Sequence, residues 1–314
     1  MGALGVTLLL TLLMLVETAP GMVAPQRSRA VEREHQAAAK GTWIDNVQLT
    51  SSYHGENGQP VEVKGRLLVY LPACYQHDGL LPLAIVLHGW SQRPEDWREQ
   101  TDVAVLADNH CVVLALPAMG TSVYEASFYR ETTAKWNQMP GALWVATIVL
   151  PYMRDHFAVS HLQRLTAVIG VSTGGRGAIV LGERFADFGF CASLSGTYDL
   201  SLLDTDQGEY KIHSNVFGDR ERFRERWHSE DCLNASYAQT LKSVYLYLVH
   251  GGNDPIVPVT QLQAMKQFLA TFHHHYQVVM VKGAGHTWAF WNSQLGPAFD
   301  AMERAFKIER RPQD

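Results

Sequence analysis

Cysteine is scarce in this chain of 314 residues, with four copies: Cys74, Cys111, Cys191 and Cys232. None stands at metal-ligand spacing from another, which excludes a centre built on paired thiolates. Internal repeats and low-complexity tracts are absent, so solenoids and arrays are excluded. The net charge is −5, and no basic excess exists to neutralise phosphates, which removes nucleic acid as a partner. A long hydrophobic run is also missing. The strongest apolar stretch, Val6 to Val16, is shorter than the about 20 residues a membrane-spanning helix needs. No Lys or Arg precedes it, because the first basic residue is Arg27.

That apolar run fits the core of a secretory signal peptide, with small residues at Ala19-Pro20-Gly21 and a mature start near Met22. The expectation is a secreted or periplasmic protein with no stable membrane span after cleavage. The alternative is a protein anchored by the uncleaved segment. Residues 1–21 are then the signal peptide, 22–44 a polar leader, 45–308 the folded domain and 309–314 a frayed tail. In an exported protein four cysteines permit one or two disulfides. Cys111 and Cys191 begin apolar runs and fit equally as buried free thiols. Asn234-Ala235-Ser236 is a glycosylation sequon where the source is eukaryotic and secretory.

With 46% hydrophobic and 18% charged residues, the chain can bury one large core. Val47–Tyr53 and Val61–Leu71 read as a hairpin around Glu56-Asn57-Gly58. Leu83–His88, Val112–Leu116, Leu165–Ile169, Phe190–Leu194, Val244–Val249 and Gln277–Val281 read as buried strands. Helical patterns lie between them, at Gly141–Phe157 with a kink or break at Pro151, from Gly177, at Val259–Phe272 and at Pro297–Phe306. Such alternation predicts an α/β protein with a mostly parallel sheet covered on both faces. Residues 120–141 read as irregular, either a pocket lining or a surface loop. Residues 199–241 are more polar and read as a small cap, and the charge run Asp219–Arg226 reads as a solvated helix face. His273-His274-His275 closes a helix, and successive side chains there point apart, so no metal site is read from them.

The stretch Leu165–Gly182 places Gly170-Val171-Ser172-Thr173-Gly174 between a strand and a helix. Strand, G-x-S-x-G, helix is the context of a nucleophile elbow, in which the serine occupies a strained backbone conformation. The pentapeptide alone arises by chance roughly one time in ten in a chain of this length. Its partners matter more. A serine needs a base to take its proton and a third group to hold that base. Asp254 follows the strand ending at Val249, and His286 follows the strand ending near Val281. The order Ser172, Asp254, His286 is the order this fold class requires. Asp199, also just past a strand, is the fallback acid. His88 reads as shaping its loop rather than acting as a base. The developing oxyanion needs two donors: the backbone N–H of Thr173 and that of Trp90, with Ser91 as rival. Trp136, Trp288, Phe290 and Trp291 either line an acyl pocket or pack as core.

The run Gly170-Val171-Ser172-Thr173-Gly174-Gly175-Arg176-Gly177-Ala178 resembles the elbow of the putative-esterase group of the α/β-hydrolases, the esterase D and feruloyl-esterase-like proteins. Leu87-His88-Gly89-Trp90, Ser195-Gly196-Thr197-Tyr198-Asp199 and His250-Gly251-Gly252-Asn253-Asp254 are similar too. Thr173 stands where methionine is usual. Across residues 45–307 the resemblance implies an α/β-hydrolase fold and a Ser-Asp-His hydrolase that needs no cofactor and no metal. The expected activity is cleavage of a carboxylic ester, small or polymer-attached. A peptidase, thioesterase or acyltransferase would use the same triad. A non-catalytic binding protein of the same fold is the alternative from another class.

Overall fold

In a computed structural model, the structure describes residues 40–54, 58–76, 79–130, 137, 139–272 and 275–307. An eight-stranded sheet in the order β1-β2-β4-β3-β5-β6-β7-β8 forms its centre. Strands β1 (Thr42–His54) and β2 (Pro60–Leu71) make an antiparallel hairpin, and β2 pairs antiparallel with β4 (Val113–Pro117). From β4 onward every pairing is parallel, through β3 (Leu83–Leu87), β5 (Thr166–Val171), β6 (Phe190–Leu194), β7 (Tyr245–Gly251) and β8 (Tyr276–Val281). The apolar runs read as strands are these central ones. Strands β3, β4, β5 and β6 are buried along their whole length, as a sheet covered on both faces requires.

Successive side chains along each central strand serve opposite faces. Leu83, Ile85 and Leu87 join one core, with Val168, Val180 and Leu181, while Ala84 and Val86 join the other, with Ile169, Phe299 and Met302. The first face is covered by α3 (Gly141–Trp144), α4 (Leu150–His156), α5 (Thr173–Arg184), α8 (Ala238–Leu241) and α9 (Thr260–Phe272). The second is covered by α1 (Pro94–Gln100), α2 (Val103–His110) and α10 (Trp288–Lys307). Helices α6 (Gly208–Phe217) and α7 (Arg224–Glu230) lie in the insertion between β6 and β7.

Several expectations are corrected. The leader expected to reach residue 44 stops short of it, because Thr42 already pairs with Leu71 and Trp43 packs on Tyr70 at 4.8 Å. The helix after the elbow begins at Thr173, not near Gly177. The last helix begins at Trp288, not Pro297, which lies inside it. Thr287 marks its start, its hydroxyl accepting from the N–H of Phe290 at 3.2 Å. Pro151 leaves α4 intact behind it, and the five residues before α4, Val145–Val149, take π-helical form. Proline provides no N–H and crowds the carbonyl four residues back, and a wider turn relieves both.

Cys111 is not a free thiol but is bonded to Cys74, with Cα atoms 6.0 Å apart, while Cys191 and Cys232 are buried and free. The charge run is not simply a solvated face. Arg220 donates to the carbonyls of Leu200 and Leu203, and Arg226 donates to that of Phe217 and stacks over Phe223. Both help to close the insertion's own apolar cluster, in which Leu203, Tyr210, Phe217 and Trp227 pack against Val123. The amide of Asn234, in the sequon, donates to the carbonyl of His228 at 3.2 Å. Among the described residues no helix is long and apolar enough to cross a membrane, and no three His, Cys, Asp or Glu side chains could hold a metal together. Trp136, His273 and His274 lie outside the described residues.

Candidate active site

Strand β5 delivers Val171 to a turn in which Ser172 has φ 56° and ψ −125°, and α5 starts at the next residue. The turn is tight enough to need glycine on both sides. A Cβ on Gly170 would stand 2.0 Å from the carbonyl oxygen of Gly174, and one on Gly174 would stand 2.4 Å from that of Leu87. The strained serine is pinned from both ends, its N–H donating to the Leu194 carbonyl (2.8 Å) and its carbonyl accepting from the N–H of Arg176 (3.1 Å). Cost of this kind persists only where the surroundings over-determine it.

The loops after β7 and β8 bring two further side chains to this serine. Ser172 Oγ lies 2.9 Å from His286 Nε2, and His286 Nδ1 lies 2.7 Å from Asp254 Oδ2. A carboxylate only accepts, so Nδ1 carries the hydrogen and Nε2 is left to accept from the serine. The other carboxylate oxygen of Asp254 accepts from the N–H groups of Ile256 and Val257, each at 2.9 Å. Burial works against the charge on Asp254. The hydrogen bond and charge of His286, with the two N–H groups, outweigh it and hold the carboxyl below its ordinary range. Trp291 braces the imidazole edge-on at 4.9 Å and itself donates to Ser195 Oγ at 3.2 Å. Asp199, the fallback acid, is engaged elsewhere, accepting from the N–H and hydroxyl of Ser201.

Thr173 is the first residue of α5, where helical N–H groups have no partner within the helix. Gly89 abuts the serine, since a Cβ on it would lie 3.0 Å from Ser172 Cβ. The rival donor Ser91 gives its N–H to the Gly120 carbonyl at 3.0 Å. The N–H groups of Thr173 and Trp90 have no acceptor among the described residues. His88 is buried, and its ring spans the loop, with Nδ1 donating to the Gly89 carbonyl (2.8 Å) and Nε2 accepting from the N–H of Met119 (2.9 Å). Burial pushes its pKa down, so the ring is the neutral form that both bonds require. The Gly89 carbonyl and the Trp90 N–H are two ends of one planar peptide. Pinning the first therefore aims the second. Tyr124, itself at φ 53°, donates to the His88 carbonyl at 2.8 Å.

Sequence reasoning missed a buried network around Arg176, one turn beyond the serine. Its guanidinium donates to the Val123 carbonyl, to the Glu230 carbonyl and, at 3.3 Å, to the Glu230 carboxylate. Glu230 in turn accepts from the N–H groups of Ala126 and Ser127 and from the Tyr129 hydroxyl. Elbow helix, the 120s loop and the β6–β7 insertion are thereby joined. The only sequence signal was an arginine inside an apolar helix. Of the aromatics left open between pocket and core, Phe290 and Trp291 are core, and Trp288 packs partly buried against them.

No curated protein sequence matches this chain. Solved structures do. S-Formylglutathione hydrolase of Agrobacterium tumefaciens superposes with a TM-score of 0.66 at 15% identity, over 85% of this chain and 98% of that one. The fluorophosphonate-binding serine hydrolase F of Staphylococcus aureus gives 0.63 at 18%, over 83% and 99%. A ferulic acid esterase of Anaeromyces mucronatus, solved with ferulic acid, gives 0.59 at 16%, over 87% and 95%. The fold is thus that of the α/β-hydrolases. A family model described as "Putative esterase" matches residues 59–302, and the chain accordingly belongs to that esterase family, carboxylic ester hydrolases of the serine type.

Proposed function

We propose that this enzyme cleaves its ester through an acyl-enzyme on Ser172. The hydroxyl proton passes to His286 Nε2 as Oγ attacks the carbonyl carbon. The buried carboxylate of Asp254 stabilises the imidazolium that results. Negative charge collects on the former carbonyl oxygen, where the N–H groups of Thr173 and Trp90 receive it. Collapse of the tetrahedral intermediate breaks the ester C–O bond, and the leaving alcohol takes its proton from Nε2. Water then repeats the sequence, giving its proton to Nε2 and releasing the acid from Ser172. The observation that carries this reading is the unbroken chain Ser172 Oγ–His286–Asp254, at 2.9 and 2.7 Å, hung on a strained serine.

The substrate proposed is a small or polymer-attached carboxylic ester, since a ferulic acid esterase is among the proteins of like fold. Export to an oxidising compartment is part of the same proposal. It is supported by the apolar stretch Val6–Val16 and by the Cys74–Cys111 bond.

The test is labelling with a fluorophosphonate probe together with turnover of p-nitrophenyl esters of graded acyl length. Wild type is expected to label and turn over. Ser172→Ala is expected to do neither, with kcat lower by on the order of 10⁴–10⁶. A folded wild type that neither labels nor hydrolyses any ester would overturn the reading in favour of a binding protein.

A further inference from the structure

Strand β7 places Leu246 and Leu248 in one core and Tyr247 and Val249 in the other. The next position on the first side therefore asks for an apolar residue. His250 stands there instead, its side chain wholly buried. Its Nε2 donates to the Val257 carbonyl at 2.9 Å, and its Nδ1 has no partner among the described residues. A carbonyl only accepts, so Nε2 carries the hydrogen and Nδ1 is a buried lone pair. Burial pushes the pKa down, and the ring is neutral. Burying an imidazole with one nitrogen unsatisfied costs stability that leucine in the same place would not.

What the ring holds is the loop that carries Asp254. That loop contains Asp254-Pro255-Ile256-Val257-Pro258, and neither proline has an N–H to fasten it. The N–H groups of Ile256 and Val257 are both spent on Asp254 Oδ1. Among the described residues, the bond from His250 to the Val257 carbonyl is the one hydrogen bond that ties 255–257 to the sheet. On the other side of Asp254, the N–H groups of Gly252 and Asn253 donate to the carbonyls of Val281 (2.8 Å) and Ala284 (2.9 Å). The carboxylate thus hangs between two anchors. Val257 transmits the second, with its N–H on Oδ1 and its carbonyl on His250.

His250 Nε2 also lies 3.7 Å from Asp254 Oδ2, the oxygen that His286 Nδ1 meets at 2.7 Å. The longer distance is no hydrogen bond, so Oδ2 stays committed to His286. We propose that His250 is a positioning residue, which through Val257 holds the Asp254 carboxylate on His286. The proposal rests on the Ser172–His286–Asp254 reading above.

Three variants separate reach from bulk. Methionine fills the space without a donor. Glutamine and asparagine carry the same amide, and only glutamine extends it as far as Nε2. His250→Met and His250→Asn are expected to lower kcat by roughly 10–100-fold with KM within about twofold, the loss that a displacement of about 1 Å brings. His250→Gln is expected to recover most of that turnover. The far-downfield proton signal of the His286 Nδ1–H, assigned by its loss in His286→Ala, reports the bond to Asp254 without turnover. It is expected to persist in His250→Gln and to vanish or move upfield in the other two. In an Asp254→Ala background nothing is left to position, and His250→Met is expected to change the residual turnover by less than about twofold.

If His250→Met fails to fold, the contrast of asparagine with glutamine decides. A wild type that labels with fluorophosphonate and turns over, matched in kcat and signal by His250→Asn, would overturn the positioning role and leave the triad standing. Equal losses in His250→Gln and His250→Asn, or an undiminished loss in the Asp254→Ala background, would make His250 a packing residue and overturn the proposal. A wild type that neither labels nor turns over would overturn the triad reading, and the proposal with it.

Discussion

At Ser172 a single residue carries two requirements that oppose each other, a strained backbone and an unstrained reach to His286. The glycines at 170 and 174 resolve them, because a Cβ on either would strike the main chain that packs against the turn. On the proposed oxyanion side, His88 fixes the Gly89–Trp90 peptide plane through its bond to the Gly89 carbonyl. His88→Ala removes the bond to the Gly89 carbonyl and frees the Trp90 N–H to turn away from the serine. The expected result is a kcat lower by roughly 10–100-fold with KM nearly unchanged, within the about 3 kcal/mol that a whole oxyanion donor is worth. Steady-state kinetics on a variant shown folded by circular dichroism checks this, and an unchanged kcat would remove the positioning role. The elbow serine, Asp254 and His286 were legible at this scale because each follows an apolar run at a strand's end. Arg176 was not, because a guanidinium satisfied by main-chain carbonyls leaves no pattern in the sequence.

At the scale of elements, the strands were legible, as were the helix starts at Gly141 and near Thr260, whereas the starts at Thr173 and Trp288 were not. Strand limits follow from apolar runs that the sheet must bury. Helix α5 starts with Thr-Gly-Gly, residues that favour other conformations, and does so because the elbow dictates it. Arg220 and Arg226 were read as solvated because charge pattern does not reveal which guanidiniums will cap an aromatic cluster.

The 120s loop shows what elements joined by buried charge must tolerate. Glu125 lies buried on it, with Oε1 accepting from the Gly141 N–H at 3.3 Å and Oε2 without a partner among the described residues. Burial first, and the charge of Glu230 next, push its pKa up to about 8, against the N–H groups beside it and Arg176. The unfolded value is about 4.3. Between these values the folded state holds a proton that the unfolded chain has lost, so stability falls as pH rises, by roughly 1.4 kcal/mol per unit at most. The contribution is whole below about pH 4.3 and gone above about 8. Glu125→Gln keeps the acceptor and removes the titration. Its stability relative to wild type is expected to climb from pH 5 to pH 8 and then level off, as urea unfolding at pH 5, 7 and 9 would show. A difference that stays flat would place Glu125 in contact with water. Arg176→Met, by contrast, leaves the buried Glu230 without its cation and is expected to cost about 3–5 kcal/mol.

At the scale of the whole molecule, the two edges of the sheet have separate duties. Ser172, Asp254 and His286 all follow C-terminal ends of parallel strands. Cys74 follows β2, which runs antiparallel to β4, and Cys111 precedes β4, so their bond lies at the opposite edge. Composition left that pairing open, because only the fold brings the end of β2 beside the end of α2. Asp108 prepares the contact, accepting from the Ala73 N–H and the Tyr70 hydroxyl at 2.8 Å each. The bond closes a loop with a sequence separation of 37, for which chain entropy gives about 4 kcal/mol of stabilisation. Replacing both residues, Cys74→Ser with Cys111→Ser, is therefore expected to lower unfolding free energy by up to that amount. With the bond at the far edge, kcat/KM at 25 °C is expected to stay within twofold of wild type in the folded fraction. Denaturant unfolding and ester kinetics on the same preparation separate the two effects. A loss of turnover larger than the loss of folded protein would mean that strain crosses the sheet from this edge to the elbow.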